Sequence, residues 1–300
     1  MFFMKKLFCK LPPLQWGALL AALIAAVLQA LAFLLEYESN ANYFTRDAIL
    51  PSLAALCTIV SIVLGSVAAL LRPKSKLSPS EAYKIYKTNR KLRLFPAVGF
   101  FLALTGLSWN LFIKAGVLWM YRDDGATFLR EFLTTETCLA LLGLPLLYSA
   151  VFYCWNRAFP KNKPVKETIV LGFAAIIACG LLGIHLYFDF SIEMNAPIKT
   201  LLLTVFLCSM IFFTTELRLL LEKPLPKLLW IFSNLVITVS ACAATIPLAA
   251  LLGKLPEYRI DLLFYGIFAI CMIPAALEHL FALSAAKTDD PDQAERTETK

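Results

Sequence analysis

Long apolar stretches, separated by shorter polar segments, dominate the pattern of this chain. A bilayer core about 30 Å thick is crossed by about 20 helical residues, since an α-helix rises 1.5 Å per residue and satisfies its own backbone polar groups. The pattern therefore predicts an all-α integral membrane protein, a polytopic bundle of eight transmembrane helices. The predicted spans are 14–35, 48–71, 94–113, 132–153, 168–190, 200–221, 228–252 and 262–283.

The composition agrees with this interpretation and excludes several other classes of protein. Hydrophobic residues make up 59% of the 300 residues and charged residues only 16%, which is more apolar side chain than a water-soluble core can bury. The eight cysteines contain no CxxC pair, so a disulfide scaffold or a structural metal centre is not expected. We expect one transmembrane domain over 1–283, a disordered polar tail over 284–300, no cofactor and no bound metal.

The distribution of basic residues predicts the orientation of the chain. Eight spans place both termini on one side, and that side would hold 21 of the 28 Lys and Arg residues, against 7 on the other. Basic flanks are retained in the cytoplasm, so we expect both termini inside. The same basic face should contact anionic lipid headgroups rather than nucleic acid. No Asn-x-Ser/Thr site occurs, which favours a bacterial-type cytoplasmic membrane.

The longest polar segment, 72–93, carries a helix signal of its own. Ser78 and Glu81 form a capping box that predicts a helix over 79–93, lying on the inner leaflet surface. Alternatives are a solvated basic linker and a docking site for a partner protein. The basic residues proposed to face the lipid surface are Lys84, Lys87, Arg90, Lys91 and Arg93.

A short internal similarity suggests a repeat. The letters at 38–41, after the first span, resemble those at 193–196, after the fifth, at an offset of 155. Two parallel halves of four helices would produce such an offset.

Ionisable residues inside the spans are the first candidates for function, because each is costly in a bilayer. His185 and Asp189 lie one helical turn apart near the outer end of the fifth span, and Glu193 follows on the same stripe if the helix continues. An imidazole beside carboxylates is typical of proton-coupled carriers. The alternatives are an interfacial capping pair and, more remotely, a metal site.

A second group lies near the inner membrane surface. Glu216 and Arg218 end the sixth span, and Glu278 and His279 end the eighth. These residues could meet across helices and form an inner gate, or they could anchor the helix ends at the interface. Nearer mid-membrane, the chain holds Gln29, Asn110 and Asn234, which serve either as partners between helices or as substrate ligands.

These features leave the activity open between different classes of function. The first is a small-solute or ion permease, or the membrane component of a transporter. The second is a non-catalytic sensor, regulator or assembly partner that binds another protein or forms a homo-oligomer. Nucleotide, zinc-protease and esterase motifs are absent from the sequence, so catalytic residues are not expected. A remote enzymatic alternative is an intramembrane serine hydrolase that pairs Ser108 with His185.

Overall fold

The fold is an α-helical bundle, seen in a computed structural model. The structure describes residues 11–38, 43–72, 90–121, 125–159, 165–193, 195–221, 223–254 and 259–285. Within these ranges, eight helices are long and apolar enough to cross a membrane, which confirms the predicted number.

The helices in chain order are α1 Pro13–Leu35, α2 Leu50–Leu70, α3 Leu94–Tyr121, α4 Gly125–Phe132, α5 Thr135–Ala158, α6 Val165–Phe188, α7 Pro197–Leu220, α8 Pro226–Ala243, α9 Thr245–Leu251 and α10 Ile260–Ala285. A 3₁₀ turn, Arg90–Arg93, leads directly into α3. Strands β1 (Tyr37–Glu38) and β2 (Tyr43–Phe44) pair antiparallel between α1 and α2. The predicted surface helix at 79–93 lies outside the described residues except for the 3₁₀ turn, and most of the predicted tail lies outside them as well.

Every span differs from its predicted bounds by at least one residue, and two of the differences have identifiable reasons. Helix α3 runs to Tyr121 rather than ending at 113, because Lys114 finds an anionic partner on α5 and can remain in the helix. The seventh span is broken at Ala244 into α8 and α9. Pro247 explains the break, since its ring would collide with the carbonyl four residues earlier, at Ala243.

Six of the spanning segments form a closed ring. In spatial order they are α3, α5, α6, α7, α8 and α10, and α10 returns to α3. The remaining pair, α1 and α2, pack against each other and against α8 on the outside of this ring. The candidate site therefore belongs to the ring, and the first hairpin is an added layer.

A buried polar network attaches the first hairpin to α8. The side-chain amide of Gln15 donates to Asn234 at 2.7 Å, and the indole of Trp230 donates back to Gln15 at 2.8 Å. Asn234 also donates to the backbone carbonyl of Ser61 at 3.1 Å. Gly65 allows this approach, since a Cβ there would lie 2.2 Å from Nδ2 of Asn234. Asn234 is thus a structural partner between helices.

Candidate functional site

Two clusters of buried charge lie at opposite ends of the ring. The Glu216 cluster consists of Arg93, Arg157, Glu216, Glu278 and His279. The Asp189 cluster consists of Asp189, Ser191, Arg259 and Asp261. Asp261 and Glu278 are 17 positions apart on α10, which is about 26 Å along the helix axis. The two clusters are therefore separated by most of a bilayer core.

Arg93 joins two helices within the Glu216 cluster. It forms an ion pair with Glu216 of α7, and its guanidinium nitrogens lie 2.9 and 3.2 Å from the two carboxylate oxygens of Glu278 on α10. Arg157 at the end of α5 forms a second ion pair with Glu216. Two cations thus face two carboxylates, so the buried charge is balanced and each acid has a cationic partner.

His279 completes this cluster. Its Nε2 lies 2.6 Å from Oε1 of Glu216 and 3.1 Å from a guanidinium nitrogen of Arg93, so it stands between an acceptor and a donor. Its Nδ1 is buried without a hydrogen-bond partner among the described residues. The ring packs against Phe212, with the centroids 5.3 Å apart. His279 is thus fixed in position between a carboxylate and an apolar wall.

The predicted inner-gate residues are only partly brought together. Glu216, Glu278 and His279 do meet, but Arg218 does not join them, because its half-buried side chain donates to the carbonyl of Lys223 instead. Its place is taken by Arg93 and Arg157. The gating role of these residues stays a prediction.

Arg93 also corrects the prediction of a basic lipid-facing surface. It is 3% exposed and points into the ring, because the 3₁₀ turn that carries it packs against α5 and α10. Lys84 and Lys87 lie outside the described residues, as do the side chains of Arg90 and Lys91.

Arg259 organises the Asp189 cluster at the other end of the ring. Its guanidinium donates to Asp261 at 3.0 and 2.9 Å and to Asp189 at 2.7 Å. Asp189 also accepts from the backbone N–H and the hydroxyl of Ser191, at 3.0 and 2.6 Å. The 189–192 segment, which directly follows α6, is therefore held to the start of α10 by one cation.

The ionisation of Asp189 and Arg259 reflects this pairing. Burial alone would raise the pKa of Asp189, but the charge of Arg259 and the hydrogen bonds from Ser191 hold it below its usual value. Burial would lower the pKa of Arg259, and its bonds to Asp261 and Asp189 outweigh burial and raise it. Both groups are charged at neutral pH.

Lys199 is a further buried cation next to this cluster. Its side chain is fully buried, and its ammonium donates to the backbone carbonyls of Asp189 and Ile192 at 2.7 and 3.2 Å. It lies in the first turn of α7, so it fixes the 189–192 segment to that helix. Its ammonium therefore binds backbone, and Lys199 is not among the residues that line the pocket at this end.

A pocket of about 320 Å³ lies at this end of the bundle. Lys114 on α3 and Glu136 on α5 form an ion pair there, with Nζ and Oε2 3.1 Å apart, and Lys114 also donates to Thr134 at 3.0 Å. About a quarter of each of these two charged side chains is exposed. The lining residues are Asn110, Ile113, Lys114, Glu136, Asp189, Phe190, Ser191 and Arg259.

The predicted His185, Asp189 and Glu193 stripe does not form. Helix α6 ends at Phe188, so Glu193 leaves the helix, is exposed, and pairs with the hydroxyl of Tyr43, whose pKa it raises. The Asp189 carboxylate accepts hydrogen bonds from Ser191 and Arg259. His185 is buried and lies against Glu136, and its Nδ1 has no hydrogen-bond partner among the described residues. The proton-coupling role of these residues stays a prediction.

A column of aromatic rings separates the two clusters. It consists of Tyr265, Phe206, Phe268, Phe100, Phe213 and Tyr153, with successive centroids 5.5, 5.7, 5.2, 5.5 and 6.4 Å apart. All six rings are buried. The column begins one turn from Asp261 and ends at Glu216, to which the Tyr153 hydroxyl donates at 3.4 Å. The interior of the ring is therefore polar at both ends and apolar between them.

Two of the other intramembrane polar residues occupy different environments. Asn110 donates to Asp261 at 3.3 Å and lines the pocket, so it lies at the same end of the ring as the Asp189 cluster. Gln29 is buried on α1, which packs against α2, α8 and α9 and not on the ring interior.

Ser108 and His185 are in different environments. The Ser108 hydroxyl is exposed on α3 and donates to its own helix, at the carbonyl of Leu104, 2.8 Å away. His185 is buried against α5. A serine nucleophile requires hydrogen-bond contact with its base. The serine-hydrolase alternative therefore gains no support from this arrangement. Among the described residues, no group of three or more His, Cys, Asp and Glu side chains is placed to hold a metal ion.

Several charged members of the site are not among the sequence-predicted site residues. Lys114, Glu136 and Arg259 each lie within a turn or two of a predicted span end. The available signal was the Arg259-x-Asp261 spacing at the start of the last span, which places opposite charges side by side at a membrane boundary.

Comparison with protein-family models, with curated proteins and with solved structures finds no match for this chain. Its function must therefore be argued from its own geometry.

Proposed function

We propose that the protein is a small-solute permease, or the membrane component of one, in a bacterial-type cytoplasmic membrane. The proposed orientation follows the 21 to 7 division of basic residues, with both termini in the cytoplasm. The Asp189 cluster and its pocket then face outward, and the Glu216 cluster faces the cytoplasm.

One observation carries this proposal: a single helical ring has a polar pocket at one end, a buried ion-pair cluster at the other, and an aromatic column between. A carrier requires a site open to one side while the other side is closed. The pocket at the Asp189 end supplies an access point, and the Glu216 cluster ties α7, α10, α5 and the 3₁₀ turn together at the opposite end.

The ion pairs of the Glu216 cluster are suited to closing this end of the ring reversibly. Buried ion pairs add little net stability over an apolar core, because desolvation of the charges offsets their attraction. When helices separate and water enters, the charges regain hydration, so the open state is not heavily penalised. An apolar seal would lose its burial energy without this compensation.

The proposal can be tested by thiol accessibility in the column. A cysteine introduced at Phe268, in a protein whose native cysteines are replaced, reports on water at the centre of the ring. The variant Arg93→Gln leaves the buried Glu278 carboxylate without its cation in the closed state, whereas water can hydrate this carboxylate when the ring opens. We expect the rate of labelling by a membrane-impermeant maleimide from the cytoplasmic side to rise about tenfold in this background, which corresponds to a population shift of about 1.4 kcal/mol.

The matched control is Lys227→Gln, which removes a partly exposed cation at the same end; this cation donates to the carbonyl of Leu70. It should leave the labelling rate unchanged. If the cysteine at 268 stays unreactive from both sides in every folded variant, the ring does not open, and the sensor or assembly-partner interpretation replaces the permease.

A further inference from the structure

The pocket at the Asp189 end is lined by equal numbers of positive and negative side chains. Two cations and two anions line it, and they form separate pairs: Arg259 with Asp189, and Lys114 with Glu136. Asp261, which also accepts from Arg259, is offset in number by the buried Lys199, whose ammonium donates to the backbone carbonyls of Asp189 and Ile192. A ligand therefore meets both signs of charge and no net excess of either.

The two pairs differ in how firmly they are held. The Arg259 side chain is 5% exposed and is bound by two carboxylates and the Ser191 hydroxyl. The Lys114 and Glu136 pair has one nitrogen-to-oxygen contact at 3.1 Å, and its side chains are 26% and 24% exposed. A partly hydrated single contact between long side chains contributes little, so this pair can separate at small cost.

We infer that the pocket takes a small zwitterion, a solute with one ammonium and one carboxylate group. This inference rests on the proposed permease function and names its class of substrate. The solute separates Lys114 from Glu136, its carboxylate accepting from Lys114 and its ammonium donating to Glu136. Every charge then keeps a partner of opposite sign.

Charge and size both favour this class over simple ions. A solute with a net charge would add an unbalanced charge to a partly buried site, which is costly in a medium of low dielectric. A neutral solute could separate the pair only by leaving both charges unpaired. The volume of about 320 Å³ lies at the lower limit of pockets that bind small molecules, so the solute is compact.

The first experiment compares solutes of matched size and different charge. Alanine, propionate, isopropylamine and propionamide form one series, and leucine, 4-methylpentanoate, isopentylamine and 4-methylpentanamide form a larger one. We expect the zwitterion in at least one series to raise the thermal unfolding temperature of the purified protein in detergent at concentrations at least about tenfold lower than its three analogues. An anion, a cation or an amide that stabilises as well as its zwitterion, or no response to any solute, overturns the inference.

The second experiment reverses the charge preference. Lys114→Gln leaves Glu136 without its cation, so the variant should bind the zwitterion at least about tenfold more weakly and prefer the amine. Glu136→Gln should produce the opposite preference, for the carboxylate. Because both side chains are partly exposed, these variants should fold. Controls are Lys227→Gln, at a partly exposed residue, and Glu167→Gln, at an exposed one, both at the other end of the bundle. If both pocket variants keep the wild-type order of solutes, the pair does not contact the solute and the inference fails.

Uptake into proteoliposomes separates this inference from the proposed function. If a zwitterion binds but is not transported, the proposed permease function is wrong and the inferred ligand class stands. If solutes of a different charge class are transported instead, the permease function stands and the inference of a zwitterionic substrate is wrong.

Discussion

Removing one arginine from the Glu216 cluster should destabilise the protein more than any exposed charge can. In Arg93→Gln, Glu216 keeps Arg157 and His279, but Glu278 loses the cation whose nitrogens lie 2.9 and 3.2 Å from its oxygens. Glu278 is 1% exposed, so water cannot replace that partner. Breaking a buried pair by removing one member costs about 3 to 5 kcal/mol, and we expect a loss in this range.

The double variant Arg93→Gln/Glu278→Gln tests whether the loss comes from the stranded carboxylate. With both charges removed, two amides can pair, and the expected cost falls to about 1 kcal/mol. The free energy of unfolding can be measured in mixed micelles with an increasing fraction of SDS. The control is Lys227→Gln, at a partly exposed residue, expected within about 0.5 kcal/mol of wild type. A cost under about 1 kcal/mol for Arg93→Gln, or a double variant as costly as both single variants added together, would show that the unpaired carboxylate is not the cause of the loss.

Two further predictions concern the helix contact and the other cluster. Gly65→Ala should cost about 1 to 3 kcal/mol, because its Cβ would lie 2.2 Å from Nδ2 of Asn234. In the control Gly17→Ala, the new Cβ would lie 3.5 Å from its nearest neighbour, so this variant should cost far less in the same unfolding assay. Equal losses in the two variants would contradict the prediction. Asp189 has a lowered pKa, so its pairing with Arg259 stabilises the fold above the unfolded pKa of about 3.9 and is lost as the pH falls through the folded value. The excess stability of wild type over Asp189→Asn should therefore shrink below about pH 4, and parallel pH profiles of the unfolding temperature would count against it.

The spans could be predicted from sequence because their signal is local. An apolar run of bilayer length is visible without knowledge of its neighbours. The bounds were less accurate where a contact with another helix decided them: Lys114 continues α3 because Glu136 lies opposite. The break at Ala244 followed from Pro247, a local signal that length alone obscured.

The site was predicted only in part because its assembly is not local. Glu216, Glu278 and His279 were identifiable as ionisable residues inside spans. Their partners Arg93 and Arg157 lie at span ends among other basic residues, and no sequence feature separates the buried arginines from the exposed ones. That distinction depends on which helices are neighbours, which the hydropathy pattern does not contain.

The polar network that joins the first hairpin to α8 constrains the order of events during biosynthesis. Gln15 and Asn234 are 219 positions apart, so at about 5 to 20 residues per second the ribosome needs roughly 10 to 40 s to deliver the partner of an amide already inserted. Throughout that interval α1 and α2 reside in the bilayer with this amide unmatched by its eventual acceptor. Nascent chains that stop short of Asn234 would display an unsatisfied polar surface to the membrane, a feature by which quality-control proteases can distinguish an unfinished product from the mature one.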